Sequence, residues 1–559
     1  MNKTCPQCTT TFEITSKDLA FYDKVSPIFG NKKYAIPAPT LCPDCRQQRR
    51  AAQANQMNLY TRKCDLTGAM VISNFGPDSP YKVYRQEDWY SDKWDSLQYG
   101  KDFDFSRPFF EQLQELSLTV PRPALQRGYT YDENAEYTNY AGKNKNCYLI
   151  FDSDLNRDCY YSYSINSCES CTDCYRVRKS ELCYSCIDCT GCYNGKFLQD
   201  CNNCSDSMFL KNCTGSKNCL MSSNLQNKEY YVENKQVTPE EFEEYRKKLM
   251  SYSGLEEAKK RFEELKIQYP QKYTHGIQNE NVSGDYLTNC KNSEHCFDST
   301  DLWDCKNVFQ AFDKLKDAMD IQECGDGEMI YECAFAGYNM YNMLFSAHCL
   351  GEPSNQIYSM HSPHSKNLFG CIGVMRKEYC ILNKQYSKEE YEILIPKIIE
   401  HLQKTGEWGE FFPISLSLFP YNETLAQDYF PLTKEEVLNK GWKWHDEEEV
   451  EQKYMGPEIK LPEKIEETDK SICQQILHCE VTGKRFKIIP QELDLYQKMN
   501  IPVPHKCANQ RHKERLLMRN PRKLWMRKCD KCEMEINTSY SPDKPEKVYC
   551  EACYLAAIY

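Results

Sequence analysis

No stretch of this 559-residue chain approaches the roughly twenty consecutive apolar residues that a bilayer-crossing helix needs, which sets aside a membrane-spanning protein. Nor is there a glycine loop of phosphate-cradling pattern, a nucleophile elbow, or a zinc motif with a coordination position left open, so no catalytic constellation stands out. Histidine is scarce, at 10 residues, and His361 and His364 stand on a turn motif with no carboxylate or cysteine to complete a metal site. Positive charge is outweighed: the formal net charge of -11 argues against indiscriminate nucleic-acid binding while leaving room for local basic patches. No secretory leader is expected either, since Met1 to Cys5 runs straight into a cysteine knuckle, and the expected setting is cytoplasmic, with thiols reduced or metal-bound. The length implies several domains.

What the chain does have is cysteine, 33 residues of it. Cys5, Cys8, Cys42 and Cys45 form two C-x2-C knuckles near the start, and Cys529, Cys532, Cys550 and Cys553 form two near the end. Thiolates at this spacing suit the tetrahedral, soft-ligand preference of zinc, and four of them leave no position for water, so each set reads as a structural site. The two ends are copies of one two-part module with complementary losses. Arg62-Lys63-Cys64-Asp65 matches Arg527-Lys528-Cys529-Asp530 without its partner cysteines, while Cys479 and Cys507 match Cys5 and Cys42 with Thr482 and Gln510 in place of Cys8 and Cys45. The step from Cys45 to Asp65 equals that from Gln510 to Asp530, so the copies align without a gap. Cys473, His478, His505 and His512 are the candidates to replace the lost ligands of the C-terminal copy, against plain surface placement.

The first module carries Phe12-Glu13-Ile14, Asp18-Leu19-x-Phe21-Tyr22, Pro37-Ala38-Pro39 and Cys42-Pro-Asp-Cys45-Arg46. This pattern resembles the small bacterial probable zinc-ribbon domain, and the resemblance implies that the second knuckle opens a basic helix. Phe486-Lys487-Ile488, Glu492-Leu493-x-Leu495-Tyr496, Pro502-Val503-Pro504 and Cys507 repeat it. The whole chain looks like cysteine-rich zinc-ribbon proteins of candidate-phylum bacteria. Some of those carry a CaiB/BaiF-type CoA transferase label, for which no residue here supplies the chemistry.

Between the ends, cysteines at 147, 159, 168, 171, 174, 183, 186, 189, 192, 201, 204, 213 and 219 all fall on multiples of three, the mark of a repeat. Short β-prone bursts such as Cys147-Tyr-Leu-Ile-Phe and Cys159-Tyr-Tyr-Ser-Tyr alternate with Asn/Asp/Ser turns, in units of about 12 to 18 residues that suit coils of a parallel β-solenoid. Cysteine is small and apolar enough to fill a narrow interior. The rivals are an iron–sulfur cluster on Cys183, Cys186, Cys189 and Cys192, and disulfides. A second, cysteine-poorer array runs through Cys296-Phe297, Val308-Phe309, Ile330-Tyr331, Met343-Leu344, Ile357-Tyr358 and Leu368-Phe369. Both arrays end alike, at Lys228–Gln236 and Lys377–Gln385, and pass into capping boxes at Thr238 and Ser387. Helices there would cover the last coil and keep its edge from recruiting another strand.

The expected fold is therefore mainly β: two parallel β-solenoid arrays with helical caps, flanked by zinc-ribbon or treble-clef-like modules. The expected domains are 1–56 (zinc-ribbon module with an intact cysteine tetrad), 57–100 (degenerate second module), 101–135 (connector), 136–237 (cysteine-rich solenoid), 238–275 (helical cap) and 276–386 (second solenoid). They continue with 387–445 (cap and aromatic segment, which packing explains better than recognition), 446–470 (Glu/Lys/Pro-rich linker), 471–520 (degenerate module) and 521–559 (module with an intact cysteine tetrad). Function reads as a non-enzymatic scaffold with two structural zinc ions and protein partners; a solenoid or metal-cluster enzyme lacks identifiable residues. The alternative is nucleic-acid or ribosome binding through basic residues beside the knuckles: Arg46, Arg49, Arg50, Arg62 and Lys63 at one end, and a C-terminal run centred on Arg519, Arg522, Lys523 and Arg527 at the other.

Overall fold

The computed structural model describes residues 1–335, 337–347, 351–446 and 459–558. Residues 447–458 of the expected linker lie outside the described residues; the remainder of that segment packs, with Ile465 buried beside Leu493 and Tyr496. The chain divides into two compact units, each assembled from distant stretches: Met1–Leu125 with Thr274–Glu447 and Arg522–Leu524, and Gln126–Tyr273 with Glu448–Pro521 and Trp525–Tyr559. Among the described residues no helix is long and apolar enough to cross a membrane.

In the second unit the cysteine-rich array is a parallel solenoid whose coils advance by twelve residues. One ladder runs Glu133, Lys145, Arg157, Glu169, Glu181, Tyr193, Ser205, Lys217, Glu229. The backbone explains the multiples of three. From Tyr140 to Glu233 every third residue has positive φ, including Gly191 and Gly215, so each coil turns four corners and has four three-residue sides. In each triplet one residue bridges to the next coil, the next makes the left-handed corner, and the third points inward. Left-handed backbone costs an L-residue about 1–2 kcal/mol, least for Asn and Asp, which explains the Asn/Asp content of the turns. Two ladder bonds per triplet offset that cost, as where Tyr160 N–H donates to Cys171 O at 3.0 Å and Tyr161 N–H to Tyr148 O at 3.1 Å. The uniform coil replaces the 12 to 18 residues expected from the cysteine-plus-bulky bursts, because those bursts mark only some of the sides.

The interior is chemically specific. The third N–H of a triplet points along the axis and needs an acceptor. An inward Ser or Asn one coil earlier supplies it: Ser162 Oγ accepts from Cys174 N–H, Ser180 Oγ from Cys192 N–H and Asn156 Oδ1 from Cys168 N–H, each at 3.0 Å. Inward cysteines donate Sγ–H to the carbonyl two residues back, Cys159 to Arg157 O and Cys189 to Ile187 O at 3.2 Å. All thirteen expected positions from Cys147 to Cys219 are buried in this one cluster with Ile150, Ile165, Val177, Leu198, Leu210 and Leu225. An antiparallel hairpin, Glu229–Val232 with Lys235–Gln236, closes the last coil, and the Pro239–Lys248 helix follows from its Thr238 capping box.

The first unit repeats the plan with coils of 11 to 13 residues, shown by Glu280 on Lys291, Lys291 on Trp303 and Lys306 on Met319. Its hairpin is Glu378–Ile381 with Lys384–Gln385, and its cap the Lys388–Thr405 helix. The Phe109–Thr119 helix buries Phe109, Leu113 and Leu116 against it, and the aromatic segment after the cap is core, with Trp408, Phe411 and Phe412 buried on Phe345 and Tyr358.

Candidate metal centres

Each intact module is built around a knuckle turn and a helix start. At the first, Cys5 N–H donates to Thr10 O and Thr9 N–H returns to Cys5 O, both at 2.9 Å, with Thr9 in the left-handed region (φ 62°). Cys42 caps the Pro43–Ala51 helix, accepting Cys45 N–H at 3.5 Å, and Cys8 Sγ lies 3.5 Å from Cys42 Sγ. At the second, Cys529 and Glu533 (φ 58°) repeat the turn, Cys550 N–H donates to Cys529 Sγ at 3.3 Å, and Cys550 precedes the Glu551–Ile558 helix that carries Cys553. In both sets all four sulfurs lie within 4.8 Å of one another. Among the described residues, no interior solenoid cysteines converge in this way.

One thiol of each tetrad is drawn toward ionisation. A hydrogen bond from Cys45, outweighing burial, draws Cys42 down to about 7, and Cys45 rises in consequence. Burial pushes Cys529 up, but N–H groups of Cys550, Lys531 and Cys532 prevail and bring it to about 6. Four convergent sulfurs with no oxygen or nitrogen ligand are the donor set of a closed, soft-metal site.

The degenerate copies keep the turn and replace the ligands. Cys64 N–H donates to Ala69 O and Gly68 N–H to Cys64 O, and Cys479 with Lys484 and Gly483 does the same, each bond 2.8 Å. At one fixed offset, Cys64, Thr67, Arg85 and Asp88 occupy the positions of Cys529, Cys532, Cys550 and Cys553. Arg85 N–H donates to Cys64 Sγ at 3.3 Å as Cys550 does to Cys529, and Arg85 Nε reaches Asp88 at 3.0 Å. An ion pair and a thiol accepting hydrogen bonds thus stand where the sister module has four sulfurs. At the other degenerate copy burial raises Cys479, but the Thr482 hydroxyl and nearby N–H groups outweigh it and hold the thiol at about 7. None of the candidate replacement ligands joins Cys479 and Cys507: His512 packs against the stacked Tyr163 and Tyr175 rings, and His505 stacks on Tyr252 at 3.5 Å.

The basic helices beside the knuckles face the solenoids. In the first unit Arg46 and Arg50 approach the corner residue Asp320 at 2.9 and 3.7 Å, and Arg49 bridges Glu332 and Glu410. In the second unit Arg511 and Arg515, one turn apart on the Ala508–Leu517 helix, both reach the corner residue Asp173, at 3.0 and 2.9 Å. Arg519 pairs with Asp188 at 2.7 Å. Arg522, in the first unit, pairs with Asp298 at 2.8 Å and stacks on Tyr429. Lys523 is exposed, and Arg527 donates to Ser541 O and Glu546 O. Sequence reasoning missed these acids because an Asp at a solenoid corner looks like any Asn/Asp turn residue.

No protein-family model, curated protein or solved structure matches the chain. The class is set by its geometry: a mainly β solenoid protein with two tetracysteine groups able to hold metal ions.

Proposed function

We propose that the protein is a non-enzymatic scaffold in which two zinc ions, one on Cys5, Cys8, Cys42 and Cys45 and one on Cys529, Cys532, Cys550 and Cys553, fix small modules that clamp the solenoids and leave solenoid surface for protein partners. The supporting observation is the all-sulfur convergence of both tetrads, a set that fills a tetrahedral ion and leaves no reactive position. Elemental analysis of the purified chain tests it: two zinc ions per chain are expected, falling to one in Cys5→Ser or Cys550→Ser. Zinc-free protein, or iron with labile sulfide, would refute it. Nucleic-acid binding through the termini is the second reading, and it rests on the exposed Lys513, Lys528 and Lys531. Phosphate contacts would make binding fall steeply with salt and vanish when the three become glutamine; the scaffold reading expects no salt-sensitive binding.

A further inference from the structure

The two units cover equivalent solenoid faces differently, and the difference leaves a cavity. In the first unit a column of left-handed corner residues reads Asp320, Glu332, Phe345, Tyr358; in the second the matching column reads Asp173, Ser185, Phe197, Phe209. Each ends in a stacked aromatic pair, Phe345 on Tyr358 at 4.5 Å and Phe197 on Phe209 at 4.6 Å. The arginine clamp holds the Asp of both columns. The middle of the column is where the copies part.

In the first unit that space is full. Arg49 fills it from the helix side, paired with Glu332 and Glu410 and lying over the Phe411 ring. Trp408 fills the rest: its indole packs edge-on against Phe345 at 5.7 Å and donates Nε1–H to Ala35 O, beside Pro37. In the second unit the counterpart of Arg49 is Glu514, whose partners are Lys506 and Gln510, and the counterpart of Glu332 is Ser185. The segment after the cap is the Tyr252–Lys266 helix, which places Phe262 against Phe209 but sets no indole beside Phe197. A cavity of about 140 Å³ remains, walled by Ser185, Phe197, Phe209, Leu255, Phe262 and Val503. Pro502 and Pro504, matching Pro37 and Pro39, line it too, as do Arg515 and Asp173.

We infer that this cavity is a binding site for a small planar aromatic molecule, one or two fused rings in size, held face or edge against Phe197 and Phe209. Three observations support the class. The duplicate unit places an indole of its own at the equivalent spot. Most of the lining is aromatic and aliphatic, which favours a π-system over water, while Glu256, Glu263 and Glu514 add carboxylates to it. The volume is close to the roughly 150 Å³ at which an apolar protein cavity accepts a benzene-sized guest. Lys259, over the Phe197 ring at 5.1 Å, and Lys506 also line the cavity, where they could meet a polar substituent of the guest.

Titration calorimetry of the full zinc-loaded chain with indole, with saturation-transfer NMR as a second readout, tests the assignment. One saturable indole site is expected. Ser185→Phe, which extends the Phe197–Phe209 stack by one coil at a corner that already accepts aromatics, should weaken it by more than about tenfold while zinc content and melting temperature hold. Should that variant fail to fold, Val503→Trp fills the cavity from the opposite wall and is read the same way. Cyclohexanol, of similar size without a π face, should bind at least about tenfold more weakly than indole. Trp408→Ala should open the sister cavity and add a second indole site. Wild-type protein without saturable indole binding, filled variants that bind like wild type, or equal binding of cyclohexanol would each overturn the inference.

Discussion

Asp173→Asn is the substitution that separates a docking role for the terminal arginines from a recognition role. Asp173 is buried and accepts Arg511 Nε–H at 3.0 Å and Arg515 Nη1–H at 2.9 Å, and both guanidiniums are themselves less than a tenth exposed. Arg511 keeps Glu492 at 3.5 Å, whereas Arg515 keeps a neutral acceptor, the Tyr161 carbonyl, so the substitution strands one buried cation. Removing one partner of a buried pair costs about 3–5 kcal/mol. Converted at about 1.4 kcal/mol per tenfold, the helix should open roughly two to three and a half powers of ten more often. Because a chain of this size does not unfold as one cooperative unit, the readout must be local. Hydrogen-exchange mass spectrometry on peptides spanning 508–519 fits that need: their protection should collapse in the variant, while peptides of the Pro43–Ala51 helix in the other unit stay as they are. An acceleration below about tenfold would show that Asp173 does not hold the helix, and would return Arg511 and Arg515 to the pool of residues free to contact phosphate. The paired variant Asp173→Leu with Arg515→Leu should recover most of the loss, since removing both charges leaves no stranded ion.

His512 supplies a pH test. Burial against the Tyr163 and Tyr175 rings, aided by Arg515 and Lys513, pulls it down to about 3. A folded value below the ordinary 6.5 means the unfolded state takes the proton first, so stability present above pH 6.5 is lost as pH falls toward 3, by about 2 kcal/mol at pH 5. The matching residue in the first unit is Gln47, bonded to Gln322 at 2.9 Å, so exchange in 508–519 should rise with acid, exchange in 43–51 should not rise from this cause, and His512→Gln should flatten the former. In the solenoid, Cys186→Ala should destabilise the coils around it through lost packing, at about 1–2 kcal/mol, read as faster hydrogen exchange there, and leave the bound metal alone; Cys186→Asp should abolish soluble folded protein. Loss of bound metal with Cys186→Ala would revive the cluster reading. Chelation should raise exchange around Cys5 and Cys529 and spare the Cys64 turn, because the Arg85–Asp88 pair stands in for a metal there; equal loss at all three would refute that substitution.

The sequence alone determined the cysteine tetrads, the two arrays and their caps, because each is local. C-x2-C spacing is set by one turn, a capping box by four residues, and the period of three by a side of one coil. The degenerate Cys64 module was legible as a copy, yet Arg85 and Asp88 as replacements were not, since an ion pair leaves no spacing rule. The coil length also escaped: cysteine occupies only some inward positions, and twelve emerges from how the four sides close on the next coil through backbone bonds. Tertiary structure decided the fate of the basic helices. Arg46 meets Asp320 across 274 positions and Arg511 meets Asp173 across 338, so these two arginines, which along the chain read as part of a basic face, are paired with buried carboxylates. No local pattern encodes such a pairing. It arises because a buried guanidinium must find a carboxylate, and folding brings that carboxylate to a solenoid corner far away in sequence.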